Sequence, residues 1–481
     1  MRQTLFSRHP LKPKVGVWLL LCLAAIGFGV ALWFSLKAAV LLAGFLIFMV
    51  IAWFSPGFLL LALVAYLPWQ LALNLTGGID LMSGRALILV LFFVWLGKVL
   101  YQKDQTAKAA SKGLTARALI LFFLLAAISL LPADNFWWGA RKLLVFASIF
   151  PLFFLTKALV KKRRDQEILN YVLAGGVIIT SVIALGQWLA QFVFGADKIM
   201  SFWAQHVVPY FSGASFGALV IGNPSWLVEI GGQATLRAVG LFPDPHMLAF
   251  YLGLASPFCL AAAFFGPKHR LLFFGVFVLA LVTIFLTFSR GGYLGLVVSL
   301  LVWLWLAWPR LPFLSKKFLM SVLLVVLLGL VWVGWPVALR LASSFNLGEG
   351  SNLGRLAIWQ DSWSIIKQQP IIGVGLGNYP LAVSPSQDYR SAITSHNLYL
   401  DLWAELGFFG LLAWLGLAAA AGRAAWQKIN HSPGLAIAIL SSLAYFSVHA
   451  FFETPIFNPT VLAFLMIILG LAAAKVKENV L

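Results

Sequence analysis

Charge is what this chain lacks most. Asp, Glu, Lys and Arg make up 10% of its 481 residues, and hydrophobic side chains make up 62%. A water-soluble domain carries roughly a quarter charged and about half apolar residues, so there is too little polar surface here to cover a water-facing exterior. Acids are scarcer still, at 15 against 34 basic residues. Cysteine is nearly absent. Cys22 and Cys259 both sit inside apolar runs and read as membrane packing residues, which argues against a structural disulfide. No Cys/His set has the spacing of a zinc site, and no glycine-rich loop carries a phosphate-binding lysine. Together these shortages exclude a cytosolic enzyme, a secreted disulfide scaffold and a single-span receptor. The formal net charge of +19 does not indicate nucleic acid, because the basic residues stand at segment ends, where membrane orientation accounts for them.

What the chain has instead is long apolar runs. A spanning helix needs about 20 mostly apolar residues. On that window the chain offers about fourteen, beginning near Val15, Ala38, Gly57, Arg85, Arg117, Arg141, Ile168, His246, Leu271, Gly291, Phe318, His396, Pro433 and Ile456. The fold class that follows is all-α, a polytopic membrane protein of about 12–14 transmembrane helices forming one integral membrane domain over residues 1–481. Arg2, Arg8, Lys12 and Lys14 look like the start of a signal peptide, but the apolar stretch behind them is long enough to span and reads as a retained first helix. With the N-terminus in the cytoplasm, Lys and Arg favour the cytoplasmic connections by about two to one, which leaves both termini cytoplasmic. Most acids fall on the outer side, so chemistry belongs there.

Two outer connections are long, residues 195–245 and 335–395. Loops beyond about 15 residues are usually functional or disordered. These two are rich in Trp, Phe, Tyr, Gly and Pro and are expected to fold onto the membrane surface. In the second, Ser351-Asn352 can cap an amphipathic helix carrying Leu356, Trp359, Trp363 and Ile366 and ending before Pro370.

Several polar constellations interrupt the apolar background. Arg237 precedes two prolines and His246, which opens a span. Its planar fork suits a phosphate, and it equally suits snorkelling to the headgroup level. His246 reads as an interface histidine. Ser289-Arg290-Gly291 joins two apolar runs. Ser289 can cap the next helix, while Arg290 stands at that helix's positive end, a conflict that a shared anion or a lipid headgroup would relieve. Gly373, Gly375 and Gly377 alternate, but no strand-and-helix frame supports a nucleotide loop, so they predict a tight turn that lets backbone approach a ligand or another segment. Ser395 is a natural N-cap, placing His396 in a first helical turn, where the dipole favours the neutral imidazole a general base requires. Asp401 and Glu405 follow inside an apolar segment. Nine residues separate His396 from Glu405, which puts them on opposite helix faces, so Glu405 is expected to pack against another helix. His449, Glu453 and Pro455 form a weaker cluster at the last outer turn, read as a local polar bridge.

A histidine opening a helix after the large outer loop and followed by an acid and glycine, His396-Asn397 through Glu405-Leu406-Gly407, resembles the O-antigen ligase and polymerase superfamily of bacterial envelope enzymes. Arg237 and Ser289-Arg290-Gly291 upstream extend the resemblance over roughly Arg237 to Glu405. It implies metal-independent, cofactor-free glycosyl transfer on the periplasmic side of a bacterial inner membrane. The donor would be an undecaprenyl-diphosphate-linked glycan, and the acceptor a glycan, lipid A-core or a protein. It further implies His396 as base and Arg237 and Arg290 as diphosphate grips. His246, Asn397, Glu405, Gly375 and Gly377 stand beside them as supporting candidates, His246 without a counterpart in the family pattern. Membrane lipids are expected partners and nucleic acid is not. Within the class the alternative is a polymerase. From another class comes a transporter, since some relatives carry a bicarbonate-transport label, but a transporter should gather polar residues at the bilayer midplane with broken spans. A partner-binding scaffold would have no need of His396.

Overall fold

Apolar segments in lipid close into helices because every backbone N–H and C=O must be satisfied without water. The computed structural model describes residues 36–76, 79–221, 224–230, 232–317, 350–387 and 393–475. Its main helices are α1 (Leu36–Phe54), α2 (Pro56–Tyr66), α3 (Ser83–Tyr101), α4 (Leu114–Ile128), α5 (Phe136–Leu159), α6 (Arg163–Phe194) and α7 (Pro245–Phe265). They continue with α8 (Arg270–Leu286), α9 (Arg290–Ala307), α10 (Gly350–Gln368), α11 (Leu398–Trp426), α12 (Pro433–His449) and α13 (Pro459–Ala473). Among the described residues, α3, α5, α6, α7, α9 and α11 are long and apolar enough to cross a membrane, and α1, α2, α4, α8, α12 and α13 hold shorter apolar helices. The chain is an all-α polytopic membrane protein. The spans expected near Val15 and Phe318 lie outside the described residues. Every other expected span start falls within a few residues of an apolar helix.

Two small hairpins interrupt the helices, neither anticipated from the sequence. Strand β1 (Ala72–Thr76) pairs antiparallel with β2 (Ile79–Met82), and β3 (Leu227–Ile230) with β4 (Gln233–Leu236). Each is four or five residues long, too short to stand out against the apolar background.

Helix α7 forms the centre. It is apolar on all sides, and every residue from Met247 to Ala263 is buried. It packs against α6, α8, α9, α12 and α13. Close approach of α12 depends on Gly253, where an added Cβ would lie 1.9 Å from the Tyr445 ring. The Tyr445 hydroxyl then donates to the Ala249 carbonyl at 2.7 Å.

The first long connection is folded rather than loose. Short helices at Ala196–His206, Val208–Phe211 and Ala214–Ile221 lead into the β3–β4 hairpin around a small core of Ile199, Val208, Trp226 and Leu236. Two glutamines one helical turn apart on α6 pin its end. Gln191 accepts from the Leu236 amide at 2.7 Å and donates to the Leu236 carbonyl at 3.1 Å. Gln187 accepts from the Val239 amide at 2.9 Å and donates to the Arg237 carbonyl at 3.2 Å.

In the second long connection, α10 ends before Pro370 as expected. The glycine turn behind it packs into a break in α11. Gly407 has φ 68° inside that helix, and an added Cβ would lie 2.0 Å from the Ile371 carbonyl oxygen. The Val374 amide donates to Ala404 at 2.8 Å, Gly375 to Glu405 at 3.0 Å and Phe408 to Pro370 at 2.9 Å. The turn thereby satisfies backbone groups that the broken helix leaves open.

Candidate functional site

One end of the bundle gathers the starts of α7, α9 and α11 with the end of α12. Arg237 follows β4 and is almost fully buried. Its Nε donates to the Thr287 carbonyl at 2.7 Å and its Nη1 to the Ser225 carbonyl at 2.9 Å, while Nη2 lies 3.4 Å from His246 Nε2. The guanidinium is thus locked in orientation by backbone. His246 sits in the first turn of α7, capped by Asp244, whose carboxylate accepts from the His246 and Met247 amides at 2.8 and 2.9 Å. Burial, followed by the negative charge of Glu453, pushes Asp244 up to about 6, against the pull of Arg237.

Ser289 is the hub. It caps α9, accepting from the Gly292 amide at 3.2 Å. The same hydroxyl lies 2.8 Å from His246 Nδ1 and 3.1 Å from His449 Nε2. A hydroxyl has one proton and two lone pairs, so it donates to one imidazole and accepts from the other. The His449 ring is stacked on Phe250, centroids 3.7 Å apart and planes at 8°. Gly291 makes room for this packing, since a Cβ there would come within 2.8 Å of His449 and Phe452. Arg290, between Ser289 and Gly291, is buried.

His396 reaches the same end from the second long connection. The structure corrects the expectation that it occupies a first helical turn. Asn397 is the N-cap of α11, accepting from the Tyr399 and Leu400 amides at 3.0 and 3.2 Å. Ser395 shapes the turn ahead of it, accepting from the Asn397 amide at 3.1 Å and donating to the Asn397 carbonyl at 2.8 Å. His396 therefore lies outside the helix with φ 50°, and a carboxylate governs its charge. Its Nδ1 lies 3.0 Å from Glu453 Oε1 and 3.2 Å from Oε2. The Glu453 charge and this hydrogen bond raise the imidazole above its ordinary pKa, outweighing burial and the opposing charge of Arg355. Burial pushes Glu453 upward, but His396, His246 and Arg355 outweigh it and hold the carboxyl well below the usual range. The His396 side chain is 43% exposed and that of Glu453 only 12%, so the ring is open to the outside with its carboxylate behind it.

Of the residues singled out from sequence, Arg237, His246, Arg290, His396 and Asn397 meet at this end. Glu405, Gly375 and Gly377 do not. Glu405 forms an ion pair with Lys142 of α5 at 2.7 Å. Added Cβ atoms at Gly375 and Gly377 would strike Ala133 at 2.6 Å and Trp138 at 3.0 Å, so these glycines serve backbone packing. Sequence reading missed the centrality of Ser289, His449 and Glu453. The four-residue spacing of the last two was the available signal. It also missed Arg355 on α10, which no motif marked and whose charge acts on His396 and Glu453.

The fold and this cluster define a multi-span membrane protein with a cationic, histidine- and carboxylate-bearing site at one end of its helices. Residues 275–415, under a third of the chain, match the family model described as O-antigen ligase. The matched segment contains Ser289, Arg290, Arg355 and His396. An uncharacterised protein of Haemophilus influenzae is 25% identical over 168 residues, covering 30% of this chain and 41% of that protein. The chain thus spans less than half the length of that relative.

Proposed function

We propose that this protein is a ligase-type glycosyltransferase that moves a glycan from an undecaprenyl-diphosphate carrier to an acceptor hydroxyl at the periplasmic boundary of a bacterial inner membrane. The observation that carries this reading is the convergence, at one end of the bundle and around the matched family segment, of buried arginines with an exposed histidine backed by a carboxylate. A lipid diphosphate is a charged head on an apolar tail. It needs fixed cations where helices meet water, and the anomeric bond it activates needs no nucleotide site.

In this mechanism His396 holds its Nδ1 proton toward Glu453, leaving Nε2 to take the proton from the acceptor hydroxyl. Glu453 orients the ring and stabilises the imidazolium that forms. The acceptor oxygen bonds to the anomeric carbon as the bond to the diphosphate oxygen breaks, with inversion. The electron pair leaves on the lipid diphosphate, whose growing charge Arg237 and Arg290 stabilise. Arg355 supplies a third positive charge from α10. The Ser289 hub fixes His246, and through it the Arg237 fork, before substrate arrives.

Reconstitution in vesicles with undecaprenyl-diphosphate glycan and candidate acceptors, with products read by mass, tests the assignment. Transfer should require His396, and a His396→Ala protein that inserts normally yet transfers at the wild-type rate would end it. A single added glycan block indicates a ligase, and a ladder of blocks a polymerase. A transporter is disfavoured because the polar cluster sits at helix ends rather than midway along them.

A further inference from the structure

A cavity lined by basic side chains lies at the opposite end of α11 from the candidate site. It occupies about 1100 Å³ among the start of α4 and the ends of α5, α11 and α13. The candidate site lies at the start of α11 and this cavity at its end, with the break at Gly407 between them. Six cationic side chains line it: Lys112, Lys157, Lys161, Arg423, Lys428 and Lys475. None of the described residues lining it is acidic, and among the described residues none of the six forms an ion pair.

Orientation in a membrane accounts for basic connections, but it does not require amines drawn in between helix ends. Lys157 and Lys428 are partly buried. Their ammonium groups donate to the carbonyls of Ala110 and Leu471, at 2.9 and 2.5 Å, so they are fixed in place. Burial pushes Lys428 down to about 8, the behaviour of an amine withdrawn from water without a counter-charge. Lys112, Lys161, Arg423 and Lys475 are exposed around them. Six like charges on one cavity repel one another, and a bound anion relieves that repulsion.

The wall also has an apolar side. Leu114 lines the cavity and begins an exposed face of α4 that, beyond the exposed cation Arg117, is apolar through Leu121, Leu124 and Ile128, at helical spacing. A charged recess at the foot of a lipid-facing helix face matches a molecule with an anionic head and apolar chains. A free anion would have no use for that face.

We propose that this cavity binds the phosphate headgroup of an anionic phospholipid, with its chains along the Leu114–Leu121–Ile128 face of α4. Basic recesses between transmembrane helices hold such headgroups through several cations at once.

Purified full-length protein should retain cardiolipin or phosphatidylglycerol through detergent exchange, read by native mass spectrometry, in preference to phosphatidylethanolamine. The variant combining Lys112→Gln, Lys161→Gln and Arg423→Gln, which leaves the two partly buried lysines intact, should lose at least about tenfold of that retention. Ala109→Trp, at an exposed wall position, should also lower retention while keeping all six cations, which separates occupancy of the cavity from bulk charge. Equal retention of neutral and anionic lipid, or wild-type retention in both variants, overturns the proposal. So does thermal stabilisation by inorganic phosphate or diphosphate that matches the effect of the lipid, because it would mark the site as one for a soluble anion. Glycosyl transfer enters none of these readouts, so the result stands whatever reaction the other end performs.

Discussion

His396 and Glu453 are 57 residues apart in sequence and 3.0 Å apart in space. One precedes α11 and the other follows α12, and the Leu398 amide donating to the Ala450 carbonyl at 2.9 Å holds the two segments in register. The histidine is therefore oriented by a loop that the sequence places far from it.

If His396 is the base, transfer requires its neutral form, so activity should rise with pH through an apparent pKa above the ordinary imidazole value. Glu453→Gln should move that limb to lower pH and cut turnover by about a hundredfold. Initial rates of both proteins between pH 5 and about 9 check this, and an unmoved limb would remove Glu453 from the mechanism. The same pair sets a stability window. Its histidine contribution is complete below the reference value of 6.5 and fades as pH rises through the raised pKa. Its glutamate contribution is complete above 4.5 and fades as pH falls through the lowered one. The difference in thermal midpoint between wild type and Glu453→Gln should be largest between those values.

Arg237, Arg290 and Arg355 should not tolerate lysine. An ammonium keeps the charge but loses the planar fork. Arg237→Lys also forfeits the paired contacts to the Thr287 and Ser225 carbonyls. Each substitution should lower transfer at least about tenfold, equivalent to about 1.4 kcal/mol of transition-state stabilisation. Titrating the lipid-linked donor tests this. Full activity in all three lysine variants would show that these cations serve another purpose.

Removing the Ser289 hydroxyl should hurt both fold and function. Ser289→Ala deletes the α9 cap and leaves two imidazole nitrogens without their shared partner in a buried setting. A lost cap costs about 1 kcal/mol, and each buried polar atom left unsatisfied about 1–3 kcal/mol. Ser289→Thr retains the hydroxyl and should recover part of the lost activity. Thermal unfolding in detergent, measured alongside transfer, separates the two effects.

Lys142→Ala should destabilise by about 3–5 kcal/mol, because Glu405 would stay buried without its partner. Lys142 also lies 4.1 Å from the Phe457 ring centroid and would lose that contact. The double change Lys142→Met with Glu405→Leu should recover most of the stability. Failure of that rescue would mean the pair has a task beyond holding α5 against α11.

Apolar runs made the helical plan legible. Twelve of the expected span starts coincide with apolar helices because lipid leaves the backbone few alternatives. The two hairpins were not legible. Neither has more than five residues in a strand, and the second is held by Gln187 and Gln191 from a helix that reads as simply hydrophobic. At the site, Arg237, Arg290 and His396 stood out as polar groups at helix entrances. Glu405 was expected to pack against another helix and does so through the Lys142 pair, although the helical-phase argument for it assumed a helical His396, which in fact lies outside α11. The charge of His396 was misread because a dipole argument treats one helix alone, whereas Glu453 arrives from the far side of the next hairpin. Arg355 had no signature at all. Its importance comes from where α10 lies.

The glycine break in α11 divides that helix into two independent tasks. The short piece from Leu398 to Leu406 takes its position from the turn packed into the break and from the Lys142 pair. The longer piece beyond it buries Ala413, Trp414, Leu417 and Ala421 and packs against α4, α12 and α13. A side chain at Gly407 would strike the Ile371 carbonyl, so Gly407→Ala should displace the upper piece together with the glycine turn lodged in the break.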